Sequence, residues 1–176
     1  MDGESCVKKA YEFILDGDFE GAIGWFEMAI AADPGNASYH YKCSISCARS
    51  GKWDKALECV LKAVELDPGQ EEYEYHLRTV QAKLLVIDFK AMTIGGSVEP
   101  PSAIEMLRRA VELDPLCFEA YYQLASAYLR MNRFDEAVEY AREALRLEPQ
   151  HAETVKLLAK ARRKQRLRKI RISRQN

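Results

Sequence analysis

Four segments of the chain share the frame Ala-x6-Ala-x4-Pro, and this repeat constrains the fold more than any other feature. The prolines are Pro34, Pro68, Pro115 and Pro149, and an acidic residue precedes each one. Two alanines seven positions apart lie on one helix face, where their small side chains let a neighbouring helix approach closely. The proline ends the helix, because it lacks an N–H and disfavours helical geometry in the residue before it. The frame therefore predicts helices that pack in series.

Turn residues mark a second junction inside the repeats, at Asp16-Gly17-Asp18, Ser50-Gly51-Lys52 and Met131-Asn132-Arg133. Each repeat is therefore predicted to be a helix hairpin. The prolines are 34, 47 and 34 residues apart, so the third repeat carries 13 additional residues. The predicted helices run over about 4–16 and 18–32, 37–50 and 52–66, 71–93 and 101–113, 118–131 and 134–147, with a closing helix from about 150.

This pattern resembles the tetratricopeptide repeat family, whose signature places an aromatic residue, a Leu-small pair and a tyrosine on the first helix, then Ala and Pro on the second. The fourth repeat fits best, with Tyr121, Leu124, Ala125, Tyr128, Ala137, Ala144 and Pro149. The resemblance covers about residues 3–172. It implies an all-α fold, a right-handed superhelical solenoid of four helix-turn-helix repeats with a C-terminal capping helix. The repeats would span about 3–36, 37–70, 71–117 with the insertion, and 118–149 (together 3–149), followed by the capping helix and a basic tail over 150–176.

The resemblance also implies that the first helix of each repeat lines a concave groove that holds a partner peptide or helix. In register, Tyr41, Tyr75 and Tyr122 occupy one groove position, and tyrosine offers a large apolar area with a polar tip. Neighbouring basic residues would select acidic sequences, although bases near helix ends also simply complement the helix dipole. The predicted groove residues are Lys8, Tyr11, Tyr41, Lys42, Arg49, Tyr75, His76, Lys83, Tyr122 and Arg130.

One specialised function of this family can be checked against the residues of this chain. Co-chaperones of this family hold the acidic C-terminus of heat-shock chaperones with a clamp on three successive first helices. The clamp consists of a Lys and an Asn on one helix, an Asn on the next, and a Lys and an Arg on the third. The matching positions in this chain are Val7 and Tyr11, Lys42, then Glu72 and His76. Capture of chaperone tails by such a clamp is therefore not expected, and the predicted role is a scaffold or adaptor that is co-chaperone-like or assembly-related.

The 13 additional residues extend the first helix of the third repeat with an apolar run. We expect this run to be covered, because a monomer rarely leaves a large apolar patch open. Coverage by the chain itself is the favoured interpretation. The alternative is a docking or homodimer surface formed by Leu84, Leu85, Ile87, Phe89 and Met92.

Charge is distributed unevenly along the chain. Residues 156–176 contain ten Lys or Arg and no acid, while residues 1–155 contain 16 bases and 27 acids, a net charge of −11. The basic block suggests a rival function, a nucleic-acid or ribosome-associated factor whose tail contacts phosphates. Nucleic-acid binding is not favoured, because no aromatic residue interleaves the block. The candidate phosphate contacts are Arg162, Arg163, Lys164, Arg166, Arg168 and Lys169.

No phosphate-binding glycine loop, nucleophile elbow or zinc signature is present, so we predict that the protein is not an enzyme and needs no cofactor. His40, Cys43 and Cys47 share one helix face, with His76 one repeat later. Metal ligation would suit these side chains, but they occupy core positions of the repeat, and ordinary packing is favoured. No secretory signal or membrane span is apparent, and a cytoplasmic location with reduced thiols is expected.

Overall fold

The computed structural model describes residues 2–93 and 101–173, with the backbone alone for Pro101. These residues form nine α-helices and no strand. The helices are α1 (Gly3–Leu15), α2 (Phe19–Ala32), α3 (Ala37–Arg49), α4 (Trp53–Leu66), α5 (Glu71–Thr93), α6 (Pro101–Leu113), α7 (Phe118–Arg130), α8 (Phe134–Leu147) and α9 (Ala152–Ser173). The bounds agree with the predicted layout to within about two residues, and the all-α prediction is confirmed.

The hairpin turns have the backbone conformation that their sequences predict. Gly17 and Gly51 have φ values of 77° and 76°, and Asn132 has 58° at the corresponding turn. Glycine adopts this left-handed region without a steric penalty, and asparagine tolerates it better than most residues. The Asp18 carboxylate then accepts a 2.8 Å hydrogen bond from the Gly21 N–H and so caps α2.

The chain divides into two compact units, Met1–Leu84 and Leu85–Asn176, and the division falls inside α5. In the first unit, α1 to α4 pack consecutively as two antiparallel hairpins. Ala22, Ala29 and Ala56 of the repeated frame are fully buried, beside the fully buried ring of Phe26. Burial of alanine at these positions is what allows the helices to approach closely.

In the second unit, α8 packs against both α7 and α9. The first half of α9 is held by the buried side chains of Thr154, Leu157 and Ala161. Beyond Ala161 the side chains of α9 are half-buried or exposed. α9 therefore closes the stack and then continues as a polar, basic helix, as the predicted cap does.

The predicted docking surface on α5 needs a correction. Phe89 is 1% exposed, because it lies three residues after the fully buried Val86 on the same buried stripe. Leu84 packs against the core of the first unit. Ile87 and Met92 are exposed, at 36% and 52%. Leu85 is half-buried.

Residues 94–100, which connect the helices predicted over 71–93 and 101–113, lie outside the described residues. Self-association through the insertion therefore stays a prediction. Among the helices that the structure describes, none combines the length and the apolar character needed to cross a membrane.

Candidate partner-binding surface

Tyr41, on α3, is a member of the predicted groove that contacts the neighbouring helix α5. Its hydroxyl donates a 2.9 Å hydrogen bond to Glu72 Oε1 on α5. Its ring centre lies 4.6 Å from that of Tyr73 and 5.5 Å from that of His76. Burial, together with this hydrogen bond to a carboxylate, raises the pKa of Tyr41 to about 12. Tyr41 is therefore a fixed, neutral hydrogen-bond donor with a half-buried ring.

His76 is less available than the sequence suggests. Its Nε2 lies 2.9 Å from Ser44 Oγ, and Ser44 Oγ donates a 2.7 Å hydrogen bond to the Ala56 carbonyl. Ser44 Oγ uses its proton on Ala56, so Nε2–H is the donor to Ser44 in the consistent arrangement. Burial lowers the pKa of His76, against the opposing field of Glu72. His76 supports Tyr41 from within the wall as a neutral ring, rather than meeting a partner as a cation.

Tyr11 and Tyr75 are the exposed aromatic members of the set in the first unit, with exposed fractions of 45% and 50%. Tyr11 has one ring edge against Phe26. Tyr75 borders a shallow cavity of about 570 Å³ whose other lining residues are Glu71, Glu72, Glu74 and Arg78. The two rings lie on α1 and α5, the first helices of their repeats.

The three tyrosines that share the predicted groove position have different ring neighbours. Within the described residues, the ring contacts of Tyr41 are with Tyr73 and His76, and Tyr75 is not among them. Tyr122 belongs to the second unit, where its ring stacks on Phe118 at 6.2 Å and meets His151 at 5.4 Å. Side chains at equivalent positions of successive repeats therefore need not touch.

Two of the predicted groove cations lie over aromatic rings at the start of second helices. Arg49 lies over Phe19 and Lys83 lies over Trp53. Arg130 donates a 2.8 Å hydrogen bond to Ser126 Oγ, and Lys42 donates one of 2.6 Å to Ser38 Oγ. Lys8 is exposed on α1. Arg49 and Lys83 therefore have a packing role in the structure that the sequence prediction did not include.

The basic residues of the tail also differ in their contacts. Lys164 lies 5.6 Å from the centre of the Phe134 ring, and the neighbouring Gln165 donates a 2.6 Å hydrogen bond to Asp135. These contacts join α9 to the start of α8. The other five predicted phosphate contacts are exposed along α9, and they are Arg162, Arg163, Arg166, Arg168 and Lys169.

A cleft of about 650 Å³ lies in the second unit between α9 and the turn before α8. Its charged lining residues are Arg133, Lys164, Arg168 and Arg171, and apolar lining comes from Phe134 and Leu167 among others. Arg133 is paired with Glu136. The cleft is therefore strongly basic, and it extends the charge of the tail onto the repeat that precedes it.

Cys59, the third member of a cysteine cluster, was missed at the level of sequence. The Sγ atoms of Cys43, Cys47 and Cys59 all lie within 4.8 Å of one another. Cys43 and Cys47 are fully buried, one turn apart on α3, while Cys59 is half-buried on α4. The signal was present, since Cys59 follows the frame alanine Ala56 by three residues and so faces the partner helix of the hairpin.

A family model described as tetratricopeptide repeat matches residues 37–70, and a second model with the same description matches residues 118–151. The matched segments contain the hairpins α3–α4 and α7–α8. The chain is a tetratricopeptide repeat protein. The prediction of this family and of its all-α fold is confirmed.

The similarity to solved structures covers more of the chain than the two matched repeats do. A crystal structure of MamA protein is 24% identical with a TM-score of 0.52, and the match covers 97% of this chain and 86% of that chain. The MamA 41-end structure from Desulfovibrio magneticus RS-1 is 18% identical with a TM-score of 0.51, covering 93% and 95%. A MamA structure from AMB-1 is 18% identical with a TM-score of 0.53, covering 90% and 80%. These likenesses concern the tetratricopeptide fold alone.

Proposed function

We propose that this tetratricopeptide protein is a non-enzymatic scaffold that binds a segment of a partner protein on the first helices of its repeats. The observation that supports this proposal is the half exposure of Tyr11 and Tyr75 on α1 and α5. Aromatic side chains are enriched at protein interfaces, where they provide large contact area at a small entropic cost. The exposed rings are the anchors, and the fixed Tyr41 lies on α3.

Hydrogen bonds between the first helices hold the surface between these anchors in place. Tyr39 on α3 donates a 3.0 Å hydrogen bond to Glu4 on α1, and Tyr41 on α3 donates to Glu72 on α5. Side chains held in this way lose little further entropy when a partner binds. The surface is therefore prepared for binding before the partner arrives.

The charges near Tyr75 suggest which partner segment fits. Three glutamates and one arginine line the cavity beside this ring. Arg49 and Lys83, which the sequence placed in the groove as selectors of acidic peptides, each lie over an aromatic ring. We infer that the partner segment presents an apolar side chain to Tyr75 and a basic side chain to the glutamates, because opposite charges fix register across an interface.

Comparison of two double variants tests this proposal. Tyr11→Ala with Tyr75→Ala removes the exposed rings of α1 and α5. Met28→Ala with Leu61→Ala removes apolar side chains of similar exposure, 49% and 47%, from the second helices α2 and α4. In quantitative affinity purification, we expect partners recovered by the unchanged chain to be lost from the tyrosine variant and kept by the control. Equal loss from both variants would contradict the proposal.

A second candidate function rests on the exposed basic face of α9 and the cleft beside it. We propose nucleic-acid binding as this alternative, with Arg162, Arg163, Arg166, Arg168 and Lys169 as phosphate contacts. Titration of RNA at several salt concentrations tests it, because neutralised phosphates release counterions and make binding salt-dependent. A chain that does not bind RNA at low salt would eliminate this alternative and leave the scaffold proposal intact.

A further inference from the structure

The three clustered thiols lie on one rigid hairpin. Cys43 and Cys47 are one helical turn apart on α3, and Cys59 approaches them from the antiparallel α4. The fully buried Ala56 lies one turn before Cys59, and its carbonyl accepts the hydrogen bond from Ser44 of α3. The two helices are therefore fixed on each other close to the cluster, so the three sulfur atoms are brought together by the fold itself.

The spacing of the sulfur atoms is close to that of a metal site. A tetrahedral zinc site has Zn–S bonds of about 2.3 Å, which places its sulfur atoms about 3.8 Å apart. The sulfur atoms of the cluster lie within 4.8 Å of one another. The largest separation exceeds the ideal spacing by at most about 1 Å.

An ion can reach the cluster from solvent. Cys43 and Cys59 line a cavity of about 300 Å³ that is also lined by His40, Glu58 and Lys62. The His40 Nε2 lies 3.0 Å from the Pro34 carbonyl and donates to it in the tautomer that satisfies both groups. The cavity has room for water, which supplies the fourth ligand that three cysteines leave open.

Two lysines lie near the cluster on α4. Lys55 and Lys62 lie four residues before and three residues after Cys59, on the same face of α4. Three thiolates with a divalent ion carry a net charge of −1. Lys55 is paired with Glu27 and Lys62 with Glu65, and Glu58 also lines the cavity, so acidic and basic groups are mixed around the cluster.

We propose that Cys43, Cys47 and Cys59 form a site for a thiophilic metal ion, with Zn²⁺ bound by three thiolates and one water. Thiolates are the soft ligands that Zn²⁺ favours among protein side chains. The ion joins α3 to α4 and stabilises the second hairpin, because a ligand that binds the folded chain alone shifts unfolding in favour of the folded state. None of the three cysteines is among the predicted groove residues.

Titration of the reduced, metal-free chain with Co²⁺ tests the site. We expect one Co²⁺ per chain, an intense thiolate-to-cobalt charge-transfer band and loss of that band when Zn²⁺ is added. Cys59→Ser should weaken binding by more than about 100-fold, since removal of even an outer-shell partner costs 10- to 100-fold. Cys59 is half-buried, so this variant is the one least disturbing to the fold, and circular dichroism checks its helices.

The matched control is Cys6→Ser, which removes a buried cysteine of α1 outside the cluster. It should keep the charge-transfer band, and its melting temperature should still rise when Zn²⁺ is added, as for the unchanged chain. Absence of the band from the unchanged reduced chain would overturn the proposal. An equal band in the Cys59→Ser variant would overturn it as well.

Discussion

The guanidinium carbon of Arg49 lies 5.4 Å from the centre of the Phe19 ring, and the same relationship recurs along the chain. In each pair, the ring belongs to the first residue of a second helix. The cation belongs to the helix that follows it in the chain. The other pairs are Lys83 with Trp53 at 5.7 Å and Lys164 with Phe134 at 5.6 Å. The cation follows the ring by 30 residues in all of them. The recurrence shows that α9 packs on α8 as a first helix packs on the second helix before it.

A double-mutant cycle on Arg49 and Phe19 measures this contact. We expect a coupling free energy of about 0.5–1 kcal/mol, the range for cation–π pairs at exposed sites. The measurement is urea unfolding of Arg49→Ala, Phe19→Ala and the double variant. A cycle with the exposed Lys8→Ala in place of Arg49→Ala should give additive effects. Additive effects for Arg49 would show that the pair does not interact.

Two glycines of α2 provide a matched test of the hairpin packing. A Cβ atom at Gly21 would lie 2.3 Å from Phe13 Cδ1, whereas a Cβ at Gly24 would have nothing within 4 Å. Gly24→Ala should raise the free energy of unfolding by about 0.5–1 kcal/mol through helix propensity. Gly21→Ala should lower it by about 1–2 kcal/mol, because the methyl group overpacks the Phe13 ring. Equal effects of the two substitutions in urea unfolding would contradict the close approach of Phe13 to α2.

The helices and their order could be predicted because the signals are local and repeated. The frame alanines identify the buried faces, and Gly17, Gly51 and Asn132 identify the hairpin turns. The third repeat was harder, since its insertion interrupts the repeat period. An apolar run shows no helical stripe, so the sequence does not separate Phe89 from its neighbours, and only the structure distinguishes the buried Phe89 from the exposed Ile87.

The site was less predictable, because its contacts join residues from different helices. Register identified Tyr41 and Tyr75 as equivalent positions but did not reveal that Glu72 accepts the hydrogen bond from Tyr41. Nor did it show that Arg49 lies over Phe19. Cys59 was not grouped with Cys43 and Cys47 for the same reason, as a spacing pattern on α3 does not contain the neighbouring α4.

His76 should make the free energy of unfolding depend on pH, and the direction of this dependence follows from its lowered pKa. Burial lowers its pKa below the 6.5 of an unperturbed histidine, so the unfolded chain binds more protons in the interval between the two pKa values. Stability from the neutral ring is therefore fully present above 6.5 and is lost as pH falls from there through the lowered pKa.

Urea unfolding of the unchanged chain and of His76→Gln from about pH 7.5 to about pH 5 checks this expectation. Glutamine keeps a donor for Ser44 and does not titrate. The unchanged chain should lose more stability than the variant on acidification. Identical losses in the two proteins would mean that His76 is not desolvated in the folded chain.

A photo-crosslinking amino acid at position 75 measures partner binding by the first helices most directly. The control is the same amino acid at position 61, because Leu61 on α4 is exposed to a similar extent, 47% against 50% for Tyr75. We expect covalent adducts with a polypeptide from position 75, competed by excess unchanged chain, and none from position 61. Equal adducts at both positions, or adducts from position 61 alone, would contradict partner binding on the first helices.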